Sequence, residues 1–346
     1  MPRTKPQRQI LRLAQYGDHA AIEKLLKQAT PEILSEALVL AAMPHHTIPH
    51  NPGHAKTVTL LLRAGANVDH CGGWSHETPL TAAARGGFAD IITILQDAGA
   101  HHTIFHHAAL GNLRPLRPAL KKNPDLVHTA DPAGLLLLHH VAASRMGDIS
   151  ATNAKNLAAV ASLLLDHGAD PNAVIHAEPT RRIQQTVPPL VLAAIADNLS
   201  VTEVLLARGA DPNIRSSWGT PLMQACKYSP RIADQLLAHG ANINAPLDDD
   251  RTTALHIMAH FPHPDAVAWL LAHGADPRLT TTNGQTPLHR AAERNTGPKV
   301  AQMLLDAGAN PVAKDNAGRT PSAIAQRAGK TKVAAFLRAY LKPAAA

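Results

Sequence analysis

Histidine is the residue type in this chain with the most evident capacity for chemistry, at 22 of 346 residues. His46, His50 and His54 are four residues apart, a spacing that on a helix would align three imidazoles for Zn²⁺ or Ni²⁺. The same stretch contains Pro44, Pro49, Pro52 and Gly53. Because proline in a helix interior removes a backbone donor, this composition disfavours a regular helix. We therefore interpret the His-rich stretch 45–54 as a polar loop, with a metal site at His46, His50 and His54 as the alternative.

The signatures of common catalytic sites are missing from the sequence. It contains no His-Glu-x-x-His, no Cys-x-x-Cys, no phosphate-binding glycine-rich loop and no Gly-x-Ser-x-Gly. Three consecutive carboxylates at 248–250 are interpreted as the solvated tip of a turn, which is the usual place for such a run. We expect a protein without enzymatic activity and without a cofactor.

The sequence around these residues is organised as an internal repeat. Gly-Ala followed by Asp or Asn begins at Gly65, Gly168, Gly209, Gly240, Gly274 and Gly308, with a variant at Gly99. In chain order, including the variant, these glycines are 34, 69, 41, 31, 34 and 34 residues apart. The period is therefore about 33 residues, with one degenerate copy and one insertion.

A second motif lies about ten residues after most of the Gly-Ala motifs and marks where a helix begins. It is Thr-Pro, at Thr78, Thr220, Thr286 and Thr320. Threonine is a favourable N-cap, and proline at the first helical position loses no hydrogen bond. Glycine after an apolar segment suits a left-handed C-cap. Each period therefore predicts a pair of short helices with defined ends.

These motifs resemble the ankyrin repeat, in which a turn, Thr-Pro-Leu-His-x-Ala-Ala, a second helix and Gly-Ala-Asp follow one another. The full form stands at Thr286-Pro287-Leu288-His289, with Ala291-Ala292 after it. The resemblance implies an all-α fold: an ankyrin-repeat solenoid of stacked helix-turn-helix repeats with protruding turns or short β-hairpins, as one domain over 5–342. The repeats are placed at 10–28, 34–67, 76–101, 102–129, 134–172, 186–213, 219–244, 252–278, 285–312 and 319–341. The insertions are placed at 43–55, 144–154 and 174–187.

The resemblance also assigns structural roles to two groups of histidines. His106, His139, His256 and His289 stand at the histidine of the repeat motif, where the side chain is expected to hydrogen-bond the backbone of a turn. His167, His239 and His273 precede a capping glycine, where a residue able to carry positive charge suits the last helical turn.

Composition limits where the chain acts and what it binds. Apolar residues make up 45% of the chain, and two cysteines cannot staple this length, which indicates a reducing compartment. No apolar run reaches the length of a membrane span. We expect a monomeric cytoplasmic protein, with export as a secreted effector as the alternative. The net charge of +7 is small for this length, and no basic stripe alternates with aromatic residues, so nucleic acid is disfavoured as a ligand.

The expected function is protein binding through the concave face that such a stack presents. Exposed positions on that face lie at the turn tips and on the first helix of each repeat, just after its Ala pair. Trp, Tyr and Arg dominate binding hot spots. The predicted partner-binding residues are Trp74, Arg215, Trp218, Lys227, Tyr228, His260, Phe261 and Arg294. The hypothesis is a non-catalytic scaffold, used as an adaptor or as an inhibitor, for example a bacterial effector, and the alternative is a metal-binding or metal-responsive protein.

Overall fold

The computed structural model describes residues 3–43, 50–71, 77–174, 187–247, 249–261 and 263–341. These residues contain twenty α-helices and three short 3₁₀ helices. Pairing between extended segments is reduced, in the described ranges, to the single bridges Ala130–Leu136 and Ser216–Gly219. The all-α prediction is confirmed, and the expected short β-hairpins are present only as these bridges. No helix in the described residues is both long enough and apolar enough to span a bilayer.

The chain divides into two compact units, Met1–Ala210 and Asp211–Ala346. The N-terminal unit contains α1 Lys5–Tyr16, α2 His19–Glu23, α3 Pro31–Ala42, α4 Pro52–Arg63, α5 Pro79–Gly86, α6 Ala89–Asp97, α7 Ile104–Ala109, α8 Leu113–Lys122, α9 Leu137–Ala143, α10 Ala151–Asp166, α11 Pro189–Ile195 and α12 Leu199–Ala207. Its 3₁₀ helices are Leu26–Gln28, Pro124–His128 and Met146–Asp148. Its inner helices, the odd-numbered ones, pack side by side in chain order from α1 to α11.

The C-terminal unit contains α13 Pro221–Tyr228, α14 Pro230–Ala238, α15 Ala254–His260, α16 Pro264–Ala272, α17 Pro287–Arg294, α18 Lys299–Asp306, α19 Pro321–Arg327 and α20 Thr331–Tyr340. Its inner helices α13, α15, α17 and α19 again pack in chain order, and α16 packs on α18. Each unit is therefore a stack of helical hairpins in which every inner helix lies against the next.

The helix ends lie where the repeat motifs place them. Thr220 accepts a hydrogen bond from the backbone N–H of Met223 at 3.3 Å, with Pro221 opening α13. The seven glycines of the Gly-Ala motif all have a left-handed φ between 83° and 91°. Behind Gly240, the N–H of Ala241 donates to the carbonyl of Leu236 at 2.9 Å, which closes the helix end. The predicted caps are confirmed.

Two insertion boundaries need correction. Helix α4 begins at Pro52, so 52–55 belongs to a helix rather than to the loop predicted over 43–55. Proline is tolerated there because it occupies the first helical position, whose N–H has no partner within the helix. Helix α10 likewise begins at Ala151, inside the insertion predicted over 144–154. Most of the insertion at 174–187 lies outside the described residues.

Candidate functional site

One edge of the C-terminal unit is formed by the residues that close its inner helices. We call this set the carboxyl-end row: Lys227, Tyr228, His260, Phe261, Glu293, Arg294 and Arg327. Lys227, His260, Glu293 and Arg327 each lie six residues after the first residue of their inner helix, and Tyr228, Phe261 and Arg294 lie seven residues after it. Because the helices pack in register, equivalent residues of neighbouring repeats stand next to one another, about 10 Å apart.

Two aromatic rings of the row are half-exposed, and each has a cation over it. The side chain of Tyr228 is 38% exposed and that of Phe261 is 45% exposed. The Nζ of Lys227 lies 4.7 Å from the centroid of the Tyr228 ring. The Cζ of Arg294 lies 5.9 Å from the centroid of the Phe261 ring, in the preceding repeat. These cation–π contacts, worth about 0.5–1 kcal/mol at exposed sites, hold the rings in position without covering them.

His260 joins the second and third repeats of this row. Its ring meets the edge of the Phe261 ring, with 4.9 Å between centroids. Its Nδ1 lies 3.6 Å from a carboxylate oxygen of Glu293. Burial lowers the pKa of His260; Glu293 opposes this, while Arg290 and Arg294 add to it. The imidazole is therefore neutral at pH 7, and the charge of the row comes from Lys227, Arg294, Arg327 and Glu293.

Arg215 and Trp218 lie at the other end of α13. The backbone N–H of Trp218 donates to the hydroxyl oxygen of Ser216 at 3.0 Å, and the Gln224 side-chain amide donates to the Trp218 carbonyl. The Trp218 side chain is 36% exposed, and Arg215 is exposed. Since α13 has eight residues, it separates this turn from Tyr228 by about 12 Å. The predicted partner-binding residues thus form two groups, and Trp74 lies outside the described residues.

One of the three predicted metal ligands, His54, has a structural role instead. His54 is fully buried in the first turn of α4. Its Nδ1 accepts from the N–H of Asn51 at 3.2 Å, and its Nε2 donates to the carbonyl of Gln15 at 3.0 Å. Both nitrogens are occupied, so His54 is a capping residue of the repeat type and the three-imidazole interpretation is wrong for it.

The other two predicted ligands give no support to that site. His50 stacks on Phe88 with 4.3 Å between ring centroids and lies 3.4 Å from a carboxylate oxygen of Asp90. His46 lies outside the described residues. Within the described ranges, no three His, Cys, Asp or Glu side chains are grouped so that they could hold a metal ion.

The structural role predicted for the motif histidines is confirmed for His256 and His289. The Nδ1 of His256 accepts from the N–H of Thr253 at 3.3 Å, and its Nε2 donates to the carbonyl of Gln285, in the next repeat, at 3.0 Å. His289 does the same with Thr286, at 3.1 Å, and with Arg319, at 3.1 Å. Burial lowers the pKa of His256 to about 4, so it is neutral at pH 7.

His106 and His139 are also structural, with variations. The Nδ1 of His106 accepts from the N–H of Thr103 at 2.9 Å, but its Nε2 meets the hydroxyl of Thr78 rather than a turn carbonyl. The Nε2 of His139 donates to the carbonyl of Ala173 at 3.2 Å. Both side chains are buried.

The histidines before the capping glycines act through a hydrogen bond that sequence reasoning did not foresee. The Nδ1–H of His167, His239 and His273 donates to the carbonyl four residues earlier, at 2.8, 2.9 and 2.7 Å. The recurring His-Gly dipeptide was the signal for it.

Three further side chains bear on the row beyond the predicted group. Glu293 and Arg327 share the six-residue offset of Lys227, and that offset is the sequence signal that identifies them. His263 follows α15, and its pKa is lowered by burial and then by Lys227, which places Lys227 near the loop of the next repeat. The spacing of the motifs contains no signal for His263.

Comparison with known proteins points to one family. The family model described as ankyrin repeats (3 copies) matches residues 190–281 and 255–343. The ankyrin repeat and KH domain-containing protein mask-1 of Caenorhabditis elegans is 30% identical over 241 residues, which covers 59% of this chain and 9% of that protein. The ankyrin repeat domain-containing protein SAT10 of Stachybotrys chartarum is 27% identical over 203 residues, which covers 57% of this chain and 10% of that protein. The chain thus spans about a tenth of the length of these curated relatives.

A solved structure shows the same arrangement of helices. The crystal structure of the human ASB11 ankyrin repeat domain has a TM-score of 0.54 and 25% sequence identity to this chain, covering 71% of it and 100% of the ASB11 chain. The family match, the relatives and this neighbour agree with the capped helix pairs described above. The chain has the fold of an ankyrin-repeat solenoid, and its residues 190–343 match the ankyrin-repeat family.

Proposed function

We propose that the C-terminal unit binds a protein partner through the carboxyl-end row and the Trp218 turn. Ankyrin repeats are generally protein–protein interaction modules, and the fold is typically a non-enzymatic scaffold. The observation that carries the proposal is the pair of half-exposed rings, Tyr228 and Phe261, each held under a cation from its own or the next repeat. Tyrosine and arginine are enriched in hot spots, and large rings give much contact area for little conformational cost.

The surface is formed before binding. Lys227 and Arg294 already restrict the two rings, and the Trp218 turn is closed by the bonds to Ser216 and Gln224. A partner would therefore order few side chains on this protein, which keeps the entropic cost of association low. The row and the Trp218 turn would form the two edges of a groove crossing α13, on the concave face of the repeats.

Whether the protein acts as an inhibitor or as an adaptor depends on whether it binds one partner at this surface or also a second protein elsewhere. A partner held on this groove alone would be blocked there, as by an inhibitor or a bacterial effector. A second protein bound elsewhere on the stack would make the chain an adaptor. We infer a monomer acting in a reducing, cytoplasmic compartment, because the repeats use no disulfide and Cys226 is buried as a free thiol.

The experiment compares two double variants as baits for partner capture, with quantitative mass spectrometry as the readout. Tyr228→Ala with Phe261→Ala should lower recovery of the partner at least about tenfold, as expected for hot-spot residues. Tyr16→Ala with Tyr340→Ala removes two rings that are 54% and 46% exposed elsewhere, and it should leave recovery unchanged. Circular dichroism should show the same helix content in both variants.

A third bait, Trp218→Ala, decides whether the turn belongs to the surface. Loss of the same partner would place Trp218 in it, and unchanged recovery would leave the row alone as the site. Equal recovery with wild type and with the row variant would contradict the proposal.

A further inference from the structure

The cations of the carboxyl-end row have no acidic counterpart in the described chain. Lys227 and Arg294 lie over rings, and Arg327 makes no ion pair with a described residue. Three other cations of this unit are paired: Arg319 with Asp315 at 2.7 Å, Arg278 with Asp276 at 3.0 Å, and Arg290 with Asp250 at 3.6 Å. Three cations without an ion pair among the described residues therefore lie on the edge that also exposes Tyr228 and Phe261.

The single carboxylate of the row does not cancel this charge. Glu293 is directed to His260, whose Nδ1 lies 3.6 Å from it, and burial keeps that imidazole neutral at pH 7. Three cations thus stand against one carboxylate. The unit as a whole has fifteen Lys and Arg against ten Asp and Glu over 211–346, so its long-range field has the same sign.

The surface between the cations is partly apolar. The Tyr228 and Phe261 rings are adjacent along the row, and a cavity of about 300 Å³ follows beside Glu293 and Arg327, with Ile324 in its lining. Equivalent positions are about 10 Å apart, so the row from Lys227 to Arg327 extends over about 30 Å. An extended chain rises about 3.3 Å per residue, so carboxylates about three residues apart would meet successive positions, and carboxylates about six residues apart would meet Lys227 and Arg294, which are two positions apart.

We propose that the carboxyl-end row binds an extended acidic segment of a partner protein, with Asp or Glu about three and about six residues apart and apolar side chains between them. The segment's carboxylates pair with Lys227, Arg294 and Arg327, and its apolar side chains lie on Tyr228 and Phe261. This inference rests on the proposed function and adds the chemistry of the partner.

Single-stranded nucleic acid is the competing anionic ligand, and the row suits it less. Lys227 and Arg294 each occupy one face of a ring, which leaves a base a single face of Tyr228 or Phe261 on which to stack. The carboxylate of Glu293 among the cations would also repel a phosphate backbone, whereas a peptide can place an amide or a hydroxyl there.

The test selects peptides on the whole purified chain from a random display library of about twelve residues, a length that spans the row when extended. The expected result is an excess of Asp and Glu in the enriched peptides, with apolar residues between them. The affinity of a synthetic enriched peptide should fall at least about tenfold when its carboxylates become amides, and again between about 50 and about 300 mM NaCl.

Matched variants locate the binding. Lys227→Ala with Arg294→Ala should weaken the acidic peptide at least about tenfold. Lys299→Ala with Lys332→Ala removes the same charge from exposed positions on α18 and α20, and it should change the affinity less than about twofold. Because a cation in a last helical turn also stabilises the helix end, urea unfolding of each variant separates a binding effect from a folding effect.

Each opposing result has a distinct meaning. Neutral or basic peptides that lose binding on Tyr228→Ala with Phe261→Ala would overturn the acidic inference and leave the proposed function standing. Acidic peptides that bind the row variants as well as wild type, or no enrichment at all, would overturn both. Tighter binding of a single-stranded oligonucleotide than of any enriched peptide, lost on the same variants, would assign the row to nucleic acid.

Discussion

The inner helices of the two units end in different ways. In the N-terminal unit Arg85 closes α5 at the position that Lys227 occupies in α13, six residues after the helix begins. The Arg85 guanidinium pairs with the carboxylate of Glu77, whose side chain is 1% exposed. Lys227 forms no such pair with a described carboxylate and lies over an exposed ring. The same repeat position is neutralised inside one unit and left available in the other.

The chain itself closes the N-terminal edge. Ser144, seven residues after α9 begins, is fully buried, and its hydroxyl donates to the carbonyl of Ala109 at 2.7 Å. The 3₁₀ helix Met146–Asp148 that follows it packs against α5. The Phe88 ring fills the space that a β-carbon on Gly86 would need. The lesson is that an insertion and small residues convert a potential binding edge into core, while Tyr228 and Phe261 keep it open.

Acid should give the largest loss of stability. Burial lowers the pKa of His106 and His139 in the N-terminal unit, and of His256 in the C-terminal unit, to about 4. The unfolded chain, with histidine near pKa 6.5, then binds more protons, so stability is complete above pH 6.5 and is lost as pH falls toward 4. We expect a loss of about 2 kcal/mol at pH 5 for each of these three imidazoles, and so a larger contribution from this group in the N-terminal unit, which has two of them.

Urea unfolding at pH 7.5 and pH 5.0 checks this expectation. Circular dichroism reports all helices, and tryptophan emission in a Trp74→Phe background reports Trp218 and Trp269 of the C-terminal unit alone. His101→Gln, at an exposed position, is the control and should not change the pH dependence. Equal losses in the two units, or stability independent of pH, would show that these imidazoles do not set acid stability.

The paired cations test the comparison directly. Arg85→Ala should lower the free energy of unfolding by about 3 kcal/mol, the low end for breaking a buried pair, because it leaves the Glu77 carboxylate buried and uncompensated. Lys227→Ala should change it by less than about 0.5 kcal/mol, as for an ordinary exposed position. Urea denaturation of both variants at pH 7.5 is the measurement. Equal costs would mean that the two edges are not energetically distinct.

The smallest effect is expected at two equivalent residues, Ser144 at the end of α9 and Tyr228 at the end of α13. Ser144→Ala removes a buried hydroxyl that donates to Ala109 and accepts from the N–H of Met146 at 3.2 Å, and it should cost about 1–2 kcal/mol. Tyr228→Ala, at the equivalent position of α13, should cost less than about 1 kcal/mol, since its ring is half-exposed. Thermal unfolding of the pair sharpens the contrast, and a larger cost for Tyr228→Ala would show that its ring supports the fold.

Much of the fold was predictable because its determinants are local. A capping threonine acts on an N–H three residues away, and a capping glycine on carbonyls within five residues, so their spacing alone identifies where helices begin and end. The exposure of Tyr228 and Phe261 was also predictable from the sequence, since both lie seven residues after the first residue of their inner helix. His54 was misassigned because its partner Gln15 lies 39 residues away, beyond any local pattern.

The sequence by itself therefore determined the repeat, its caps and the positions that a partner could meet. Only the tertiary structure decided which of those positions are free. Glu77 neutralises Arg85 and Ser144 reaches Ala109, 35 residues earlier, through packing between repeats. No comparable contact covers the described residues of the carboxyl-end row. Whether a side chain is buried or paired depends on the neighbours that stacking brings to it. The same position of the repeat is for that reason exposed in the C-terminal unit, where a partner could bind, and buried in the core of the N-terminal unit.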